Sequence, residues 1–200
     1  MNQTGFTIWF TGLPGAGKST LARMLSERIL RSGLSGELLD GDVFRNHLSQ
    51  GLGYSREDRD INIKRIGYVC KLLTRNQVIV IVAAIAPYRE ARNHNREVIE
   101  RYVEVYVKCP LETLIKRDPK GLYKRALAGE IPNFTGISDP YEEPLDPEIL
   151  LETDKENPEE SLNRVLKTLE ILEYLKPIVK SYSSEEEEKI INRLKEFGYI

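Results

Sequence analysis

The chain has 200 residues, a length suited to one domain with at most an appendage and too short for two full domains. Apolar residues make up 40% and charged residues 30%, with 14 glycines and 10 prolines, a globular composition that excludes collagen-like, mucin-like and acidic-tail proteins. Lys and Arg (29) nearly balance Asp and Glu (31), and the net charge of −2 leaves no global positive field for nucleic acid or an anionic membrane, so any anion must be held by a local cluster.

The longest apolar run, Val78 to Ala86, is about half of the ~20 residues that a membrane span needs, and the N-terminus lacks a basic stretch followed by an apolar one. The expectation is a cytoplasmic protein with neither a membrane nor a nucleic-acid partner. Cys70 and Cys109 occur without a CxxC pair or a His/Cys cluster and read as buried thiols.

Apolar, β-rich runs alternate with amphipathic helical patterns, as a parallel sheet covered by helices on both faces requires. Phe6 to Thr11 reads as the first strand, and a helix is predicted from Lys18 to Arg31, stopped by Gly33. Glu37 to Asp40 is the second strand and runs into Asp40-Gly41-Asp42, read as chain that is still extended, with both carboxylates pointing to one side. Ile63, Ile66, Val69, Leu72 and Leu73 fall at helical spacing and predict a helix over Arg56 to Thr74. Val78 to Val82 is expected as the central strand, Glu90 to Arg101 as a helix, Tyr102 to Val107 and Ile149 to Glu152 as the fourth and fifth strands, and Glu159 to Leu175 as a closing helix.

The stretch from Asp118 to Pro147 is far longer than an ordinary connection and interleaves basic and aromatic residues, which predicts a lid. Beyond Lys176 the chain changes character. Ser184 followed by Glu185 to Glu188 starts a helix whose Ile190, Ile191, Leu194 and Phe197 form an apolar stripe, read as a docking helix with a dimer or partner contact as the alternative.

Gly12-Leu13-Pro14-Gly15-Ala16-Gly17-Lys18-Ser19-Thr20 fits the phosphate-loop pattern G-x-x-x-x-G-K-[ST], between a strand and a helix where that loop belongs. Gly12, Gly15 and Gly17 let backbone N–H groups converge on phosphate at the positive end of the helix. Lys18 is expected to span the β and γ phosphates of ATP, and the Ser19 hydroxyl to ligate Mg2+. A glycine turn that merely enters a helix explains Gly17 but not Lys18-Ser19.

The missing N-K-x-D tetrapeptide and the misplaced D-x-x-G match at Asp118 to Gly121 exclude a guanine-nucleotide switch. The Val78 to Val82 strand carries no carboxylate through Ala86, so the metal-holding aspartate of motor ATPases is also missing. Asp40 and Asp42 are then the available acidic pair, at the strand end where ligands bind. One is expected to orient or deprotonate an acceptor hydroxyl and the other to hold a Mg2+-bound water, with Ser19 and Asp42 as the metal candidates. Arg45 follows, set for an acceptor anion, and Arg59 and Asn62 share one face of the next helix, entered through a loop carrying Tyr54. A basic pocket beside an aromatic ring suits an anionic nucleotide.

Four stretches together resemble adenylyl-sulfate kinase: LDGD with Arg45, GLGYSREDRDINIKRIG, IAPYREAR (Ile85 to Arg92) and RDPKGLYKRALAGEIPNFTGISDPYEEP (Arg117 to Pro144). The resemblance runs from about Thr7 to Leu175. It implies an α/β, P-loop NTPase-type three-layer fold with a five-stranded parallel sheet, helices on both faces and a lid. It also implies a reaction in which ATP and adenylyl sulfate give ADP and 3′-phosphoadenylyl sulfate. The chain then divides into a P-loop kinase domain over 1–175, with the lid at about 118–147, and a helical extension over 176–200.

Carried over by resemblance, the nucleotide loop is Gly12 to Thr20, with Arg117 and Thr153 beside the ATP adenine. The acceptor site takes Asp40, Asp42, Arg45, Tyr54, Arg59, Asn62, the main chain at Ile85 and Ala86, Lys120, Leu122 and Phe134. Tyr54 and Phe134 fall where the family sandwiches the acceptor adenine, and Lys18, Asp40, Asp42 and Lys120 take the catalytic roles. A homodimer and association with ATP sulfurylase are further implications.

Three departures stand out. Ala86 replaces a serine that some bacterial members phosphorylate, so transfer here is expected to be direct; Tyr54 replaces the usual phenylalanine; and the tail has no counterpart. The alternatives are a catalytically silent nucleotide-binding module that regulates a sulfurylase, and a small-molecule kinase with another acceptor.

Overall fold

The apolar runs become strands β1 (Thr7–Thr11), β2 (Gly36–Asp40), β3 (Ile79–Ala83), β4 (Tyr102–Lys108) and β5 (Ile149–Glu152). They form one parallel sheet in the order β2-β3-β1-β4-β5. The computed structural model describes residues 3–176 and 184–199. The central strand is β1 and not β3, contrary to the sequence reading. The crossover through α1 (Lys18–Arg31) carries the chain past the position beside β1 to the sheet edge, and β3 then fills the gap.

Strand alternation sorts the core into two faces. Phe6, Ile8 and Phe10, with Ile79, Ile81, Val103, Val105 and Val107, meet Leu21, Leu25 and Ile29 of α1 and Leu162, Val165 and Leu166 of α7 (Pro158–Ile171). Trp9, Val80, Val82 and Tyr102 face the other way, toward Ile63, Ile66 and Cys70 of α3 (Arg56–Arg75) and Ala91 of α4 (Arg89–Val98). Each such side chain contributes roughly 1.5–3 kcal/mol on burial, so the sheet is held between two dry layers. Helices α3 and α4 approach closely at Gly67, where a Cβ would lie 2.0 Å from Asn95 Oδ1. Both cysteines are buried and unpaired, as expected.

Helix α1 matches its predicted bounds, and α3 ends one residue later than predicted. Helix α4 stops at Val98 instead of running to Arg101, because Ile99 is already extended on its way into β4. Helix α7 starts one residue early, at Pro158, where Asn157 and Glu160 form a reciprocal capping box, and it stops at Ile171 with Glu173 in a left-handed conformation. The 118–147 stretch is not all loop: α5 (Leu111–Arg117) leads into it and α6 (Leu122–Leu127) lies within it. A helix absent from the sequence reading, α2 (Gly41–His47), follows β2 directly.

Helix α8 (Ser184–Glu196) docks as expected. Leu194 is buried, Arg193 donates to the Pro147 carbonyl over 3.2 Å, and the Tyr199 hydroxyl donates to the Glu148 carboxylate. The Ser184 cap and the Glu185 to Glu187 side chains read from sequence lie outside the described residues. Among the described residues no helix is long and apolar enough to cross a membrane.

Candidate active site

The chain leaves β1 through Gly12 at φ 145°, where a Cβ would stand 2.3 Å from the Val107 carbonyl oxygen, so only glycine lets the loop pass this close to β4. Gly17, left-handed at φ 106°, caps α1 and turns its first N–H groups toward the loop. Lys18, 8% exposed, donates to the Gly12 and Leu13 carbonyls over 2.9 and 2.8 Å. Burial lowers its pKa to about 8; Asp42 and Asp40 oppose that fall and Lys120 adds to it. Lys18, Asp40, Asp42 and Lys120, assigned the catalytic roles, thus share one electrostatic field.

The Ser19 hydroxyl donates to Asp40 Oδ2 over 3.0 Å, and Asp40 Oδ1 accepts from the Asp42 backbone N–H at 3.0 Å. Here the extended reading of Asp40-Gly41-Asp42 is corrected. Asp40 is the N-cap of α2 and Asp42 sits in its first turn, because the cap bond satisfies a helix N–H that extended chain would leave open. The two carboxylates therefore differ: both Asp40 oxygens are engaged by protein donors, and Asp42 lies beside the helix start.

On the acceptor side, Arg45 lies over the Tyr54 ring at 4.6 Å and donates to the Gly53 carbonyl over 2.6 Å. Arg59, 7% exposed, donates through Nε to the Tyr54 carbonyl (2.9 Å), through Nη1 to Thr135 Oγ1 (2.7 Å) and through Nη2 to the Asn133 carbonyl. Its Nη2 also lies 3.4 Å from Asp139 Oδ2. One guanidinium therefore ties the Tyr54 loop to both neighbours of Phe134. Asn62, 5% exposed, leaves its Oδ1 without a protein partner, as a buried polar atom at a ligand site does. Tyr54 is exposed, and Phe134 is buried edge-on to Tyr123 with centroids 5.2 Å apart. Leu122 packs against the core and Lys120 is exposed.

Arg117 and Thr153 come together as expected. Arg117 donates to the Thr153 carbonyl over 2.9 Å, and the Thr153 hydroxyl to the Ala16 carbonyl over 2.9 Å. With Gly15, Ala16, Gly17 and Thr20 they line a cavity of about 290 Å³ beside the phosphate loop. A larger opening of about 480 Å³, between β4 and the 136–143 stretch, contains only Leu13 of the expected residues and meets the acceptor cluster through Asp139, the ion-pair partner of Arg59. Sequence reasoning missed Tyr123, Thr135 and Asp139, which join the lid to the loop and to Arg59. It also missed Glu156 and Ser161 in the nucleotide cavity. Tyr123 carried a signal, an aromatic in a basic lid; Asp139 carried none.

A glycine-rich loop around a buried lysine, an acidic pair at the neighbouring strand end and a lid clamped by arginine define a P-loop phosphotransferase. The chain belongs to the adenylylsulphate kinase family, whose model matches residues 4–152. An adenylyl-sulfate kinase of Picosynechococcus sp. is 55% identical over 177 residues, covering 88% of this chain and 100% of its own. A probable bifunctional SAT/APS kinase of Sorangium cellulosum is 55% identical over 173 residues, 86% of this chain and 30% of its own. The solved structure of the Mycobacterium tuberculosis APS kinase in complex with AMPPNP and APS superposes with a TM-score of 0.81 at 40% identity, covering 84% of this chain and 99% of that one.

Proposed function

We propose that this chain transfers the γ-phosphate of ATP directly, in line, to the 3′-hydroxyl of adenylyl sulfate, giving ADP and 3′-phosphoadenylyl sulfate. The observation that carries this reading is the buried Lys18, held by the Gly12 and Leu13 carbonyls of the phosphate loop, next to the Ser19–Asp40 hydrogen bond and the Asp42 helix start at the end of β2. Beside it, Arg45 lies over the Tyr54 ring, and Arg59, on the same helix as Asn62, ties the Tyr54 loop to Asn133 and Thr135 on either side of Phe134.

ATP lies with its phosphates on Gly12 to Thr20 and its base in the cavity of Arg117 and Thr153. Lys18 balances charge on the β and γ phosphates, and Lys120 closes over the transferring group. With both Asp40 oxygens engaged, Asp42 is the carboxylate left to orient the acceptor hydroxyl and take its proton. Arg45 faces the acceptor's anionic groups, Arg59 adds its charge while its fork holds the Tyr54 loop against residues 133–135, Asn62 offers its unpartnered Oδ1, and Tyr54 and Phe134 hold the adenine. Leu122 and the main chain at Ile85 and Ala86 complete the wall.

The Ser19 hydroxyl and the Asp40 carboxylate, 3.0 Å apart, are oxygen ligands that suit a hard cation, which would replace the hydrogen bond between them, with Asp42 two residues further on. They are the residues that would hold Mg2+, which supplies charge neutralisation at the phosphates when bound. Ala86 has no hydroxyl to phosphorylate, which favours direct transfer.

Residues 1–175 form the kinase domain, with the lid at 118–147 and the extension from 176 onward. Family resemblance favours a homodimer, and the Sorangium relative, named for both activities, favours association with ATP sulfurylase. Two unpaired thiols and the use of ATP suit the cytoplasm. The test is ADP release from MgATP with adenylyl sulfate, against shikimate, gluconate and AMP as control acceptors. Release with adenylyl sulfate alone is expected, and release with a control acceptor instead would refute the assignment.

A further inference from the structure

Four consecutive carbonyls after β3 each accept a hydrogen bond from elsewhere in the fold. Ala84 accepts from Trp9 Nε1 (3.3 Å), Ile85 from the Thr11 hydroxyl (2.6 Å), Ala86 from Arg92 Nη1 (2.5 Å) and Pro87 from the Glu142 backbone N–H (2.8 Å). The loop is therefore held from β1, from α4 and from the far end of the lid. Ala86 sits in it at φ 45°, 1% exposed, a left-handed conformation that a residue with a Cβ keeps only when its surroundings enforce it.

Arg92 is the side chain that joins these anchors. It is 2% exposed on α4, and its second terminal nitrogen donates to the Glu142 carbonyl over 2.5 Å. Its Nε lies 2.9 Å from Glu104 Oε1 on β4, and its guanidinium lies 5.7 Å from the Tyr141 ring centroid. Tyr141 in turn donates to Thr11 Oγ, whose own proton goes to Ile85, over 2.9 Å. Glu104 supplies the counter-charge that makes a buried guanidinium tolerable, and Arg96 meets its other oxygen at 3.3 Å. A planar fork with donors in fixed directions reaches two carbonyls at once while its charge lies against a carboxylate, and an ammonium does not.

We propose that Arg92 is a positioning residue for the acceptor. It holds Ala86 in the left-handed turn and binds that turn to the Glu142 strap, so that the shape of the acceptor loop and the seating of the lid are set together. The inference rests on the reading that the Ile85 and Ala86 main chain lines the adenylyl-sulfate site. All three guanidinium nitrogens are engaged by protein, so Arg92 acts through the loop and does not touch substrate.

The test compares Arg92→Lys and Arg92→Gln with the native chain in thermal unfolding, in KM for adenylyl sulfate and for MgATP, and in the Kd of adenylyl sulfate by titration calorimetry. Arg92→Lys keeps a charge for Glu104 and carries the test should Arg92→Gln fail to fold. The expected result is a Tm for Arg92→Lys close to native, with acceptor KM and Kd raised about tenfold, the loss of one charge-assisted hydrogen bond, and KM for MgATP within about twofold. Recovery of acceptor KM together with Tm in Arg92→Lys would overturn the proposal, as would a parallel loss in both KM values and kcat that tracks Tm. If the native chain turns over only with a different hydroxyl acceptor, the adenylyl-sulfate reading falls, and KM for that acceptor then tests Arg92 by the same comparison.

Discussion

The phenol of Tyr123, on the lid helix α6, donates to the carbonyl of Pro14 in the phosphate loop over 2.8 Å, while its ring meets Phe134 edge-on. One side chain thereby touches the nucleotide loop and the acceptor-side aromatic. Burial pushes the Tyr123 hydroxyl upward in pKa, so it stays a neutral donor at working pH. Tyr123→Phe keeps the ring and removes the bond, worth about 1 kcal/mol, so KM for ATP is expected to rise about fivefold. Steady-state kinetics with ATP varied check this, and an unchanged KM would mean that the lid seats without the bond.

Lys18 predicts a proton linkage. Its folded pKa of about 8 lies below the ordinary 10.5, so the folded chain binds fewer protons than the unfolded one between those values. From this group alone, stability rises with pH across that window, and below about 8 the full burial penalty is present. Nucleotide phosphates favour the ammonium, so ATP binding draws a proton onto Lys18. Calorimetry in buffers of different ionisation enthalpy should find uptake of about half a proton per site near pH 8 and little at pH 6, with affinity falling above pH 8. Proton release near pH 8 would contradict the placement of Lys18.

Arg59 looked from the sequence like a free anion grip. The structure commits its fork to Tyr54, Asn133, Thr135 and Asp139, so it works at least as much by closing the lid. Arg59→Ala should raise acceptor KM about tenfold to a hundredfold, corresponding to ~1.5–3 kcal/mol, and should expose residues 133–139 to limited proteolysis. An unchanged acceptor KM would show that the acceptor pocket is misplaced.

The tail makes a stability prediction. Arg96 forms a bidentate pair with the buried Glu148 carboxylate, which also accepts from the Tyr199 hydroxyl and from the Glu104 N–H. These carboxylates hold the Arg96 guanidinium well above its ordinary pKa, against the effect of its own burial. Arg96→Met leaves Glu148 without its counter-charge and should cost about 3–5 kcal/mol in urea unfolding. Tyr199→Phe should cost about 1 kcal/mol. Equal losses from the two variants would contradict the network.

Much of the fold was legible because local pattern and tertiary outcome agree. The α1 stripe of Leu21, Leu25 and Ile29 ends at a glycine stop, and the strands alternate between two dry faces. Helix α2 was missed because seven residues give too little periodicity, although Asp40 as a cap was a readable start signal. The phosphate loop, Arg117 and Thr153 were legible through motif and resemblance. The charged interior was not. Nothing in the sequence marked Arg92 and Arg96 as interior residues, since burial of an arginine depends on carboxylates such as Glu148, which lies 52 residues from Arg96 in the chain. The different surroundings of Asp40 and Asp42 were equally hidden, because they turn on a cap bond and on the Ser19 hydroxyl.

Direct transfer from ATP to the 3′-hydroxyl is the centre of this account, and the stereochemical course at phosphorus tests it most directly. With ATP made chiral at the γ-phosphate by oxygen isotopes, a single in-line step should deliver 3′-phosphoadenylyl sulfate of inverted configuration. Retention of configuration would reveal a phosphorylated enzyme intermediate and contradict the role assigned to Asp42 beside a loop that carries Ala86.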